Sequence, residues 1–470
     1  LIIGTTTISK EANHTLGLEI ITRELVRAGY DVRKVDHKTA KDCDILLVSL
    51  YWIDQLIDYP SFLFDAKINP KEKKPIIIVG GSCCLNPWPI KGMFHYAVLG
   101  DGEGVIVETI KAIEMGQDPC QSKHVLSNED ITRNVETNVC AELVADHYIE
   151  ERTNKITRVE IARGCKSKCK FCQLTHIKPY REIPPVILKN LIVTSPTKSI
   201  ALFAPDRGSY SGYRDIERWC LKYGKNNIGT DIKLMTLKNM DIATSVRFGI
   251  EGFSERERLY LGKAYKHQKL VEDFLHLTEH IKTPKGKRIT VATWYMIIGT
   301  PEQGEDDYKE FVALLQDIDA QIKAEKFCIF LTLNDFSTPP HTPLQNAEKE
   351  VFKDHYALWM KHRPRLKNIT IAQHGGARNE NMRLFQALAF RGGENSNKAI
   401  FNISQNKKIL QQKDGRVILD LLKKTGVNAD ALMHGYGEKK TPWDNIKIAG
   451  FEKAAPTVTL QNSEDSQCST

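Results

Sequence analysis

Three thiols fall within eight residues, Cys165, Cys169 and Cys172, in the spacing C-x3-C-x2-C. They follow a β-type run at residues 158–162 that ends in Arg163-Gly164, so the chain leaves a strand and turns around whatever the sulfurs hold. Thiols at this density point to a metal or a metal cluster. A closed structural zinc site takes four ligands, which His176 could complete. An iron–sulfur cube on three thiolates keeps one iron open to a further ligand. Incidental cysteines are the plain alternative, and the placement of all three directly after an apolar strand argues against it.

With Phe171 immediately before the last cysteine and a strand before the first, the motif resembles that of the radical S-adenosylmethionine (radical SAM) superfamily. The resemblance implies a [4Fe-4S] cluster on Cys165, Cys169 and Cys172. Its open iron would chelate the methionyl amino and carboxylate groups of S-adenosylmethionine, and an electron from it would release a 5′-deoxyadenosyl radical. It also implies a reductant protein such as flavodoxin or ferredoxin.

Such chemistry needs a scaffold that aims several strand ends at one point. Apolar segments at residues 158–162, 199–204, 232–236, 245–250, 289–298 and 327–333 predict a partial (β/α)6 barrel, whose chemistry sits at the carboxyl ends of its strands. After the second of these comes Pro205-Asp206, where the family places backbone near the SAM amino group. After the fourth, Gly249-Ile250-Glu251-Gly252 is similar to the family's G-I-E-S, with Glu251 near the ribose or methionyl end. Arg256, Arg258 and Lys263 follow as candidate partners for the SAM carboxylate, and Arg258 is expected in that role. Gly299-Thr300-Pro301-Glu302 resembles the G-x-P-G-E turn that supports adenine. Taken singly, each of these also reads as an ordinary strand-to-helix turn. The proline-rich stretch 335–345 (DFSTPPHTPLQ) cannot be helix or central strand and must line a barrel edge. Its His341 is a candidate substrate contact, with loop packing as the plainer role.

Upstream, strands at residues 1–6, 30–35, 43–50 and 75–79 alternate with helices, the first at 16–28 (LGLEIITRELVRA) and stopped by Gly29. Continuous apolar strands of this kind predict a doubly wound parallel sheet, with ligands at the carboxyl ends. Residues 76–103 (IIIVGGSCCLNPWPIKGMFHYAVLGDGE) resemble the cobalamin-binding-type domain that precedes the radical SAM core in one subgroup. By that resemblance Ser49, Gly80, Gly81 and Gly102 surround the corrin or its nucleotide tail, where glycine permits close backbone approach. His14 stands where some cobalamin domains place an axial ligand in D-x-H-x-x-G, but the orienting Asp is Ala12 here, which weakens the assignment. A rival resemblance is to the second-cluster domain of methylthiotransferases, with Cys43, Cys83 and Cys84 as ligands. It fits poorly, because no cysteine follows the first strand and Cys43 begins its strand.

The 470 residues have room for several domains, which excludes a single small binding module. The expected division is a cobalamin-binding-like domain over 1–118, a linker over 119–155, the partial barrel over 156–345, a small α+β extension over 346–450 and a disordered tail over 451–470. Gly-rich loops in the extension offer His374 as a second candidate substrate contact, and Pro442-Trp443-Asp444-Asn445-Ile446 resembles a segment that closes chains of the same subgroup. Net charge is +8, a mild excess that favours an anionic substrate such as RNA without establishing one. No apolar run nears the roughly 20 residues that cross a bilayer. The 11 cysteines, dispersed except for Cys83-Cys84 and the triplet, suggest no framework of paired bridges and a reducing cytoplasm. Three functions are open: cobalamin-dependent methylation of an unactivated carbon, cobalamin-independent rearrangement or sulfur insertion on RNA or another substrate, and a non-enzymatic metal-bearing nucleic-acid-binding protein.

Overall fold

The structure is a computed structural model that describes residues 1–8, 15–150, 153–228, 242–243, 246–323, 326–374, 379–412 and 414–450. The expected strand at 232–236, the loop after His374 and the tail at 451–470 lie outside the described residues.

The chain opens with β1 (Ile2–Thr7), α1 (Leu16–Arg27), β2 (Asp31–Lys34), β3 (Ile45–Ser49), α2 (Gln55–Asp65), β4 (Ile76–Gly80), β5 (Tyr96–Val98), α3 (Val105–Glu114) and β6 (Val125–Ser127). These strands form one sheet in the order β2-β1-β3-β4-β5-β6, parallel except for β6. The hydroxyl of Thr15 accepts from the Leu18 amide to cap α1, and Gly29 at φ +92° ends it. The apolar strands are continuous because both faces of the sheet are covered. Ile45 and Leu47 pack with Ile3, Ile78 and Ile106 on the α1 and α3 side, whereas Leu46 and Val48 belong to a core on the other side. Each fully buried aliphatic side chain there contributes about 1.5–3 kcal/mol.

Residues 119–155 were expected to link two domains; instead β6, β7 (Val135–Glu136) and β8 (Tyr148–Ile149) each join a different sheet. The barrel region follows with β9 (Ile156–Glu160), β10 (Ala162–Arg163), α4 (Gln173–Ile177), β11 (Arg181–Glu182), α5 (Pro185–Thr194), β12 (Ser199–Phe203), α6 (Tyr213–Lys222), β13 (Asn226–Asn227) and β14 (Arg247–Glu251). It continues with α7 (Glu255–Tyr260), α8 (His267–His280), β15 (Val291–Ile298), α9 (Glu305–Gln321), β16 (Phe327–Asp335), α10 (His355–His362) and β17 (Ile369–His374). β13, β12 and β9 run parallel, as do β14, β15, β16 and β17, and one core holds residues of both sheets, among them Val159, Leu202, Phe248, Trp294 and Leu331. Phe327, Ile329, Leu331 and Leu333 are buried in that core while alternate residues of β16 are partly exposed, as the two faces of a strand require. β17 pairs with β16 in register, so the parallel sheet runs past the boundary expected at residue 345.

The last segment, α11 (Glu380–Arg391), α12 (Ser396–Gln405), α13 (Arg416–Thr425), α14 (Ala429–His434) and β18 (Ile446–Lys447), was expected as a separate extension. Its helices instead cover the second face of the first sheet, with Leu384, Phe385, Ile400 and Ile418 in one core with Leu46 and Ile77. The Ser61 and Ser404 hydroxyls meet at 2.7 Å between α2 and α12, and β18 pairs with β7. The physical reason is that a doubly wound sheet needs both faces covered, and on this face its own flank supplies only α2, with Leu56, Tyr59 and Leu63.

Candidate functional site

The cysteine segment is a closed loop. β10 and β11 pair antiparallel, with Ala162 opposite Glu182 and Arg163 opposite Arg181. Gly164, at φ +75°, lets the two ends touch, since a Cβ there would lie 2.5 Å from the carbonyls of Lys178 and Pro179. Between them Cys169 is buried and Cys165 and Cys172 are partly so. Burial, then the neighbouring Cys169 and to a lesser degree Cys165, push the Cys172 thiol up to about 11. The loop is seated on the barrel through Lys170, whose amide donates to Leu261 O at 3.0 Å, and Gly262, where a Cβ would lie 2.5 Å from Lys168 O.

Zinc fits this donor set poorly. His176 Nε2 lies 3.0 Å from Cys169 O, so the proposed fourth ligand is engaged by backbone. Among the described residues the groups whose ligand atoms all lie within 4.8 Å do not include the triplet. A tetrahedral zinc, at about 2.3 Å from each sulfur, needs them closer than that. Three thiols spread more widely on one loop fit a larger inorganic cube.

Around the loop the residues expected to meet S-adenosylmethionine divide into two groups. Pro205, after β12, faces a cavity shared with the first domain. Asp206 accepts from the Ser209 hydroxyl in the same turn. Glu251, at φ +69°, lies 3.6 Å from Lys263 Nζ, which also donates to Gly249 O at 3.1 Å. Burial opposes the Lys263 charge, yet Glu251 and then the Cys169 thiol hold its ammonium above the usual range, so this pair adjoins the cysteine loop. Phe171 packs beside Leu261, Phe336 and Leu344. Gly299, at φ +78°, donates to Gln303 Oε1 at 2.6 Å and so closes its turn. Arg258 departs from expectation. It is buried and donates to Tyr265 O at 2.7 Å, Phe253 O at 3.1 Å and Gly252 O at 3.3 Å, bracing the turn after β14. Arg256 is likewise paired, with Asp307 at 2.8 Å.

A cavity of about 560 Å³ lies where the carboxyl ends of the first sheet face the barrel mouth. Ser49, Gly80, Gly81 and Gly102 line one side, and Ala162, Gly164 and Pro205 the other. The strand order reverses between β1 and β3, the switch point where such sheets bind ligands. Gly81 is obligatory there, with φ +107° and a would-be Cβ 2.5 Å from Leu50 O. Trp52, 65% exposed, stands at the rim against Tyr51 with ring centroids 4.9 Å apart. His14 lies outside the described residues, as does the side chain of His374. His341 is not on this cavity: its Nε2 lies 3.2 Å from Leu85 O and its amide donates to Gln345 Oε1 at 2.8 Å, the packing role in place of the substrate role.

A buried charge network between the domains was not legible in the sequence. Arg163 meets Asp101 at 2.9 Å and both Glu103 and Glu160 at 2.7 Å, while Lys178 and Arg181 meet Asp101 at 2.9 and 2.7 Å. Although burial opposes its charge, Lys178 and Arg163 hold the Asp101 carboxyl far below the usual carboxylate range. The Gly-Asp-Gly-Glu turn was the available signal, but nothing local tied it to residues some sixty positions on.

A glycine-looped parallel sheet and a second set of parallel strands, with three thiols on the loop after β10, make a mixed α/β fold. Comparison with known proteins agrees. A family described as radical SAM proteins, N-terminal, matches residues 27–135. An uncharacterized protein of Methanocaldococcus jannaschii is 22% identical over 377 residues, which are 76% of this chain and 80% of that one. The ribosomal protein uS12 methylthiotransferase RimO of Chlamydia pneumoniae is 27% identical over 226 residues, and the match spans 43% of each chain, less than half the length of that enzyme. Among solved structures, the cobalamin-dependent S-adenosylmethionine radical enzyme OxsB with aqua-cobalamin bound is similar at 12% identity and a TM-score of 0.44, over 68% of this chain and 52% of that one. These sequence likenesses, with the cysteine motif, support the radical SAM superfamily, whose members take a [4Fe-4S] cluster and S-adenosylmethionine.

Proposed function

We propose that this radical SAM enzyme methylates an unactivated carbon with the help of cobalamin held in the cavity between its first sheet and its barrel. When bound, the cluster and S-adenosylmethionine supply a 5′-deoxyadenosyl radical and the corrin supplies the methyl group. Cys165, Cys169 and Cys172 would hold the cluster. Glu251 and Lys263 beside it would orient S-adenosylmethionine, with Asp206 and the turn at Gly299 framing its ends. Ser49, Gly80, Gly81 and Gly102 would form the corrin wall, with the apolar cavity limiting water around the radical.

The observation that carries this reading is the continuity of one cavity from the glycine loops of the first domain to Ala162, Gly164 and Pro205 at the barrel mouth. A ligand on the first domain would thereby face the cysteine loop. Sulfur insertion, suggested by the partial likeness to uS12 methylthiotransferases, finds less support. Cys43 packs beneath Gly4 at the amino end of β3, and Cys83 and Cys84 follow the carboxyl end of the parallel β4. A five-residue strand of about 17 Å separates them, too far for one second cluster.

We place the enzyme in a reducing cytoplasm with flavodoxin or ferredoxin as donor. The ten described cysteines are all free, and among the described residues no helix is long and apolar enough to cross a membrane. Anaerobic reconstitution tests the proposal. It should give about four irons per chain, 5′-deoxyadenosine on reduction with S-adenosylmethionine, and a bound corrin band after incubation with hydroxocobalamin. Cluster and nucleoside without any corrin binding would overturn the cobalamin part alone and favour rearrangement chemistry, with RNA among the substrates to screen.

A further inference from the structure

The two arms of the cysteine loop meet with Arg163 directly opposite Arg181. Like charges facing each other across a ladder oppose pairing, and Lys178 adds a third cation on the same arm as Arg181. All three converge on one carboxylate from the first domain. Asp101 Oδ1 lies 2.9 Å from both Arg163 Nη1 and Lys178 Nζ, and Oδ2 lies 2.7 Å from Arg181 Nη1. The Asp101 side chain is wholly buried, and the Cys140 amide and thiol donate to Oδ2 at 3.1 and 3.3 Å, so the carboxylate is itself fixed. Asp101, Glu103 and Glu160 balance Arg163, Lys178 and Arg181 charge for charge, and loss of any one anion would leave a buried cation in excess.

We infer that Asp101 is a positioning residue for the cluster, a clasp by which the first domain holds together the two ends of the cysteine loop. The loop is closed at Arg163 on one side and at Lys178 and Arg181 on the other, and Cys165 begins two residues past the clasp. The inference rests on the reading of the triplet as cluster ligands. It makes the first domain necessary for cluster geometry whether or not that domain carries a cofactor of its own.

The test uses the full chain, anaerobically reconstituted with iron and sulfide, with hydrogen exchange by peptide, iron content and the EPR spectrum of the reduced protein as readouts. Asp101→Asn, which keeps the shape and removes the charge, should speed exchange of residues 164–182 about tenfold or more while α8, α9 and β15 stay within about twofold. It should also alter the EPR signal or lower the iron retained. Asp101→Glu should recover most of both. The double variant Asp101→Asn with Arg181→Gln, which restores charge balance, should recover part of the exchange protection. Unchanged exchange in the loop of Asp101→Asn would overturn the inference. If that variant does not fold, Arg181→Gln alone decides: faster exchange confined to the loop supports the clasp, and unchanged exchange sinks it. Wild-type protein that takes up no iron would refute the cluster reading, and the exchange results would still judge the clasp.

Discussion

His341 Nε2 lies 3.2 Å from the carbonyl of Leu85, joining the proline-rich barrel loop to a residue on the cavity wall of the first domain. Burial pushes the imidazole down to about 4, so at neutral pH the ring is uncharged and Nε2–H donates. An unfolded histidine titrates near 6.5. Between those values the unfolded chain binds the extra proton, so stability is full above about pH 6.5 and is lost as pH falls, by about 2 kcal/mol at about pH 5 and about 3 kcal/mol near pH 4. Urea midpoints at pH 7.5 and 5.0 should therefore differ more for the wild type than for His341→Gln, which keeps a donor and cannot titrate. Equal differences would show that the ring does not carry this dependence.

Each cysteine of the triplet should be individually indispensable, because loss of one thiolate leaves a cluster on two. Cys169→Ala, at the buried position, should drop iron from about four to below one per chain and abolish 5′-deoxyadenosine formation. Cys120→Ala, a buried cysteine in the core under α3, should keep its iron and lose only about 1 kcal/mol of stability. Iron retained at wild-type level in Cys169→Ala, measured by colorimetric assay, would exclude the triplet as the ligand set.

How much of this could be read in the chain depended on whether the signal was local. Continuous apolar runs at Ile45–Ser49 and Ile76–Gly80 marked strands covered on both faces, and the cysteine spacing marked the loop. Ser49, Gly80, Gly81 and Gly102, named by resemblance to cobalamin-binding-type domains, share one cavity. What a β-strand's outer face packs against is set by partners hundreds of residues away, so α11, α12 and α13 read as an extension although they share a core with Leu46 and Ile77 of the first sheet. Arg258 had the right residue type beside the right turn, but its donors go to carbonyls of its own loop, a choice sequence does not encode. β17 lies past the boundary expected at residue 345, and only its in-register pairing with β16 joins it to the parallel sheet.

The first-domain wall of the cavity can be separated into a backbone part and a side-chain part. Gly81→Ala forces a side chain onto φ +107° and toward Leu50 O at 2.5 Å, and should cost about 1–3 kcal/mol and lower the melting temperature by several degrees. Trp52, 65% exposed, buries little of itself in the free protein, so Trp52→Ala should change stability by less than about 0.5 kcal/mol. The same variant should weaken hydroxocobalamin binding in a spectrophotometric titration, since the exposed ring at the rim is placed to cover a flat ligand. Equal affinity with and without the indole would remove the rim from the corrin site.

Lys263 and Glu251 form a pair 3.6 Å apart, with side chains 14% and 13% exposed, that serves the fold and by proposal S-adenosylmethionine, and the two uses can be told apart. Lys263→Met strands the Glu251 carboxylate in a poorly solvated position, which should cost about 3 kcal/mol at pH 7.5. The unpaired Glu251 then titrates above its unfolded value, so the folded variant holds a proton that the unfolded chain releases, and the loss should shrink as pH falls toward 5. The double variant Lys263→Met with Glu251→Gln removes both charges and should regain much of the stability. If the pair also orients the methionyl end of S-adenosylmethionine, that restored double variant should still bind it at least about tenfold more weakly by calorimetry, a loss of about 1.4 kcal/mol. A double variant that is stable and binds S-adenosylmethionine as the wild type does would confine Lys263 and Glu251 to holding the turn after β14.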